Sequence, residues 1–124
     1  MIARLHRHAP ALGCAALALV LGACSDHDKP LVGDPDQGAA EITRVGCGAC
    51  HTIPGISGAG GMVGPPLDHM AQRVFIAGML SNTPDNMVAW LKNPQAIVPG
   101  NAMPDMGLDD RQARDIAAYL ATLR

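Results

Sequence analysis

Aromatic side chains are almost missing from this 124-residue chain, which has only Phe75, Trp90 and Tyr119. Large flat side chains supply much of the stability of a small core, so this domain needs apolar surface from another source. No run of β-branched residues alternates with polar ones, so no strand is expected. Basic charge is not in excess either: 9 Lys and Arg stand against 11 Asp and Glu. With no basic face to meet phosphates, nucleic-acid binding is excluded. The apolar run from Ala9 to Ala23 has fifteen residues. That falls short of the roughly 20 that a membrane-spanning helix needs.

What the chain does have is Cys47-Gly48-Ala49-Cys50-His51. Two thiols in this spacing, with histidine directly after the second, form the attachment pattern for c-type haem. Each thiol adds across one porphyrin vinyl group, and the following imidazole is held at the iron as an axial ligand. A Cys-x-x-Cys pair can also be a dithiol redox site or half of a zinc site. The first rival wants a βαβ context and the second wants further ligands, yet the sequence has no second Cys-x-x-Cys pair. One covalent haem c is the expected cofactor, and a buried porphyrin would supply the apolar surface that the aromatics do not.

The N-terminus reads as an export signal over residues 1–23: Arg4 and Arg7 precede the short apolar run. It ends in Leu21-Gly22-Ala23-Cys24, which resembles the lipobox of bacterial lipoproteins, with Cys24 as the acylated residue. The alternative is a plain small-residue cleavage site. Lipidation predicts attachment to a membrane on the periplasmic side. Residues 24–33 then form a flexible tether, and residues 34–124 form the domain. The mature part carries 7 basic and 11 acidic residues, a net charge of −4. With Cys14 lost in the signal, Cys24 lipidated and two cysteines on haem, no thiol is left for a disulfide.

Three main helices are expected. Asp34 caps the first, Pro35 fits its first position, Gln37 can reach back to the cap, and Gly46 ends it after Val45. Ala39, Ile42 and Val45 face inward. Ile53 to Gly64 is a glycine-rich loop expected near one haem edge. Thr83-Pro84 starts the second helix, with Met87, Trp90 and Leu91 on one face, and Asn93-Pro94 stops it. The next thirteen residues read as an ordered, irregular loop. Asp109 with Gln112 opens the last helix, whose stripe is Ala113, Ile116, Ala117, Leu120 and Leu123.

A second axial ligand must come from His27, His69 or the methionines at 62, 70, 79, 87, 103 and 106. Met103 stands apart because Pro99, Gly100 and Pro104 constrain its loop, and Pro104 holds Met103 extended. Met106 is the nearest competitor. His27 falls in the tether, and His69 reads as a polar residue near a helix end.

Order and spacing then carry a resemblance. Cys47 to His51, Gly64-Pro65-Pro66-Leu67, Asn93-Pro94 through Pro99-Gly100, Met103-Pro104 and Ala118-Tyr119-Leu120 together resemble class I c-type cytochromes. The run Ile76 to Asn86, continuing to Trp90-Leu91 and Asn93 to Ala96, looks like the cytochrome c domain fused to subunit II of some bacterial haem–copper oxidases. The resemblance implies a small all-α fold, three main helices and long loops around one haem. It implies that the Pro65 carbonyl accepts from His51 Nδ1–H, that Trp90 lies over the methionine-side pocket, and that Arg73 is a candidate propionate partner, with a solvated arginine as the simpler reading. Many members have an aromatic residue where the first helix crosses the last. Ile42 stands in for it here, so a looser crossing is expected.

The resulting expectation is a monomeric, lipid-anchored one-electron carrier in the periplasm, with His51 and Met103 on the iron. It would serve respiratory donors and acceptors, a haem–copper oxidase among them. A haem peroxidase with a labile sixth site and an accessory subunit of a larger oxidoreductase stand as alternatives.

Overall fold

The computed structural model describes residues 33–124. The expected signal, Cys24, His27 and all of the tether except Gly33 lie outside the described residues. Each expected helix begins at its cap. Asp34 accepts from the backbone N–H groups of Asp36 and Gln37 and opens α1 (Pro35–Val45). Gly46 closes α1 in the left-handed region at φ 80°. Thr83 accepts from Asn86 N–H at 3.2 Å and opens α2 (Pro84–Lys92). Asp109 and Gln112 bond reciprocally, at 2.8 and 3.0 Å, ahead of α4 (Asp110–Leu120).

Two expectations of secondary structure need correction. Residues Pro94–Ile97, read as irregular, form a fourth helix of one turn, α3. Asn93 both ends α2 and caps α3, accepting from Ala96 N–H at 3.0 Å, while Pro94 takes the first position. A small antiparallel hairpin also exists, pairing β1 (Phe75–Ile76) with β2 (Leu80–Ser81). Phe75 faces Ser81 and Ile76 faces Leu80 across the ladder. Strands of two residues are too short to show alternation, so their sequence carries no readable signal. Asn82 fixes the hairpin by donating to the carbonyls of Met70 and Arg73, at 2.8 Å each.

The core lies where α1 and α2 pack against α4. Ile42, Met87, Leu91, Ala113, Ile116, Ala117 and Leu120 are buried there, joined by Ile76 from β1 and by Ile53, Met70 and Leu108 from the connecting segments. Ala39 and Val45 are half-buried beside Ile42. At the ends of α2 and α4, Lys92 pairs with Asp110 on the surface. The hydrogen bond from Lys92, and then its charge, hold the Asp110 carboxyl below the usual carboxylate range.

The crossing of α1 and α4 is close rather than loose. Gly38 is buried against the Asp115 carbonyl and 3.0 Å from Tyr119 Cβ as measured from an added Cβ, so no side chain fits there. A missing side chain, not an aromatic one, makes this contact. Asp115, also buried, accepts from the Asp34 N–H at 2.9 Å. That donor is the one Gln37 was expected to serve, so the cap of α1 is completed by α4. Gly38→Ala should therefore destabilise the haem-loaded protein by about 1–3 kcal/mol through overpacking. The substitution should do so although alanine favours an isolated helix by roughly 1 kcal/mol. A lower urea midpoint would show this, and an unchanged or higher midpoint would mean the helices can part freely.

Candidate haem site

Gly46 turns the chain out of α1 straight into a single 3-10 turn, Cys47–Ala49. Within it the N–H groups of Cys50 and His51 both donate to the Cys47 carbonyl, at 3.2 and 3.0 Å. The turn thus presents Cys47, Cys50 and His51 from one rigid piece of backbone. Neither thiol is in a disulfide, and both are half-buried. Burial pushes the Cys47 thiol above its ordinary range, and the neighbouring Cys50 adds to the shift against an opposing backbone hydrogen bond.

The glycine-rich loop folds back onto this turn. Gly61 N–H donates to the Gly48 carbonyl at 3.0 Å, and Gly64 N–H donates to the Cys50 carbonyl at 2.8 Å. Tyr119 anchors the same loop to α4 by donating to the Pro54 carbonyl at 2.7 Å. Gly64 lies against the imidazole of His51, where any Cβ would strike the ring. The next residue supplies the ring's partner: His51 Nδ1 is 2.7 Å from the Pro65 carbonyl. A carbonyl only accepts, so the proton sits on Nδ1 and the Nε2 lone pair is left for a metal.

These groups share one cavity of about 500 Å³. It lies within the roughly 300–1,000 Å³ that cofactor sites occupy. Cys47, Cys50, His51 and Pro65 line it, as do Met103 and Met106, while Met87, Leu91, Ile116 and Leu120 contribute apolar surface. Trp90, half-buried, also lines it. Arg73 lines it too, but its Nη2 donates to the carbonyls of Pro66 and Asp68, with Asp68 Oδ1 3.4 Å away. Arg73 therefore braces the segment that follows Pro65.

The six candidate methionines divide clearly. Met62 and Met79 are 90% and 66% exposed and lie outside the cavity. Met70 and Met87 line it from within the packed core, whereas Met103 and Met106 line it from the irregular loop. His69 is exposed, left-handed at φ 53°, and lies outside the cavity. The sequence gives no notice of Gln95 and Asn101, whose amides surround Met103. Polar residues in a proline-rich loop look alike until the loop is folded.

A covalent haem fits this donor set. Two unpaired thiols, an imidazole with a free Nε2 and a thioether meet at one apolar cavity, and Gly64 leaves room for the imidazole.

Comparison with known proteins agrees. The chain is 33% identical over 110 residues to cytochrome c oxidase subunit 2 of Alkalihalophilus pseudofirmus, covering 86% of this chain and 31% of that protein. It therefore spans about a third of that relative's length. It is 36% identical to cytochrome c2 of Rhodopila globiformis, covering 74% of this chain and 95% of the relative. In fold it resembles the crystal structure of cytochrome c2 from Rhodobacter sphaeroides, with a TM-score of 0.55 at 22% identity, over 73% of this chain and 96% of that one. The model of the cytochrome c family matches residues 37–124. Because that match runs from the first turn of α1 to Arg124, the chain belongs to the cytochrome c family, whose members carry electrons on one covalently bound haem c.

Proposed function

We propose that the chain is a lipid-anchored electron carrier of the bacterial periplasm, with its haem held by Cys47, Cys50, His51 and Met103. The observation that carries the haem part of this reading is the cavity that Cys47, Cys50, His51 and Met103 line together, while the anchor rests on the sequence Leu21-Gly22-Ala23-Cys24. Bound haem supplies a one-electron Fe(III)/Fe(II) couple. The Cys47 and Cys50 thiols would hold the group through two thioether bonds. His51 offers Nε2 because Nδ1 is held by Pro65, and this hydrogen bond makes the imidazole a more basic ligand. Met103 would hold the iron through its thioether. Besides Asn101, Arg73 and the Cys47–His51 turn, the lining side chains are aliphatic, aromatic or thioether. Such a lining supports ligand binding to the iron more than acid–base chemistry on peroxide.

Likeness to subunit 2 of cytochrome c oxidases supports a haem–copper oxidase as the electron acceptor. The same likeness supports a second reading, in which the domain works as a stoichiometric part of such a complex. The net charge of −4 in the expected mature chain favours a partner with a basic docking surface.

Fractionation of expressing cells tests anchoring and carrier behaviour together. Wild-type protein should pellet with membranes, and Cys24→Ser should be soluble or remain unprocessed. Solubilised wild type should titrate as a one-electron couple and elute free of a stoichiometric partner on gel filtration. Soluble wild type of unmodified mass would contradict the anchor, and co-elution with an oxidase would favour the second reading.

A further inference from the structure

The loop that carries Met103 has almost no regular backbone pairing of its own. Pro99 and Pro104 have no N–H to donate, and Gly100 turns the chain at φ 78°. Two side-chain amides take the place of a backbone ladder. Gln95, on α3, donates from Nε2 to the carbonyls of Asn101 and Met103 at 2.9 and 2.8 Å, and its Oε1 accepts from Gly100 N–H at 3.0 Å. Asn101 donates from Nδ2 to the carbonyls of Pro94 and Val98 at 3.0 and 2.7 Å. Its Oδ1 accepts from Met103 N–H at 2.7 Å. Both amides therefore use both of their N–H donors, and Met103 is gripped at its N–H by one amide and at its C=O by the other.

We propose that Gln95 and Asn101 are positioning residues that keep the Met103 thioether in the sixth site and exclude small ligands from it. The inference rests on Met103 being the axial ligand. A thioether on a loose loop must be ordered each time it binds, and an incoming anion competes during every opening. A loop already fixed in place has lost that entropy beforehand, so the internal ligand wins. α3 matters for the same reason: its single turn, capped by Asn93, sets where Gln95 starts.

Azide titration of the oxidised holoprotein, followed optically, tests this. Gln95→Met keeps the length and loses all three bonds, and should bind azide at least about tenfold more tightly than wild type. Asn101→Asp retains an acceptor for Met103 N–H and loses the two donors, and should fall between wild type and Gln95→Met. In a Met103→Leu background, where the site is already open, Gln95→Met should add nothing. Met103→Leu that tightens azide binding, with Gln95→Met and Asn101→Asp both at wild-type affinity, would overturn the clamp alone. Met103→Leu with wild-type azide affinity and an unchanged methionine–iron charge-transfer band would overturn the ligand assignment, and the clamp with it. An additive effect of Gln95→Met on top of Met103→Leu would show that Gln95 acts elsewhere and would also overturn the clamp.

Discussion

Replacing Cys47 and Cys50 together with alanine should leave almost no folded protein. The cavity they line is about 500 Å³, and its remaining walls are largely apolar. Leaving such a space unfilled costs at most about 12 kcal/mol at about 24 cal/mol per Å³, an upper bound because the cavity opens to solvent. That is comparable with the roughly 5–15 kcal/mol stability of a whole domain. The three aromatic residues cannot compensate, since Phe75 is 55% exposed and Trp90 and Tyr119 are only half-buried. Each single replacement should lower the yield of holoprotein at least about tenfold, because one thioether leaves an incompletely anchored group in a marginal core. Far-ultraviolet circular dichroism of the double variant should lack most of the helical signal. Native-like helicity without bound haem would show that α1, α2 and α4 hold the fold by themselves.

Met103→His should lower the reduction potential by something on the order of 0.2 V, within the roughly 0.8 V over which axial ligands tune haem proteins. A thioether favours Fe(II) more than a second imidazole does, so the exchange stabilises Fe(III). Met103→Ala should remove the methionine–iron charge-transfer band and increase reactivity with peroxide. Met106→Leu is the informative control, because Met106 lines the same cavity three residues along the same loop. Its spectrum and potential should change little. A band that survives Met103→Leu and disappears in Met106→Leu would move the ligand to Met106.

The parts of this fold visible in sequence are those that depend on neighbours in the chain. Asp34, Thr83 and Asp109 announce their helices because a cap bonds only two or three residues ahead. The Cys47–His51 turn is equally local. The His51–Pro65 bond spans 14 residues, and only a family resemblance pointed to it. Contacts made by tertiary approach stayed hidden. Gly38 looks like a weak spot in a helix until α4 is laid across it, and Asp115 looks like a solvated carboxylate until Asp34, 81 positions away, donates to it. Gln95 and Asn101 sit among prolines that suggest only irregularity, and their hydrogen bonds exist only once α3 has formed. Arg73 is similar: the resemblance suggested a propionate partner, and only the folded chain shows that its Nη2 also holds the carbonyls of Pro66 and Asp68.

Mass spectrometry of the purified protein after acid–acetone extraction tests covalent attachment at Cys47 and Cys50 most directly. The intact chain should retain the mass of one haem, and fragmentation should place that mass on the peptide containing Cys47 and Cys50. A chain of unmodified mass, with the haem recovered in the organic phase, would contradict the account.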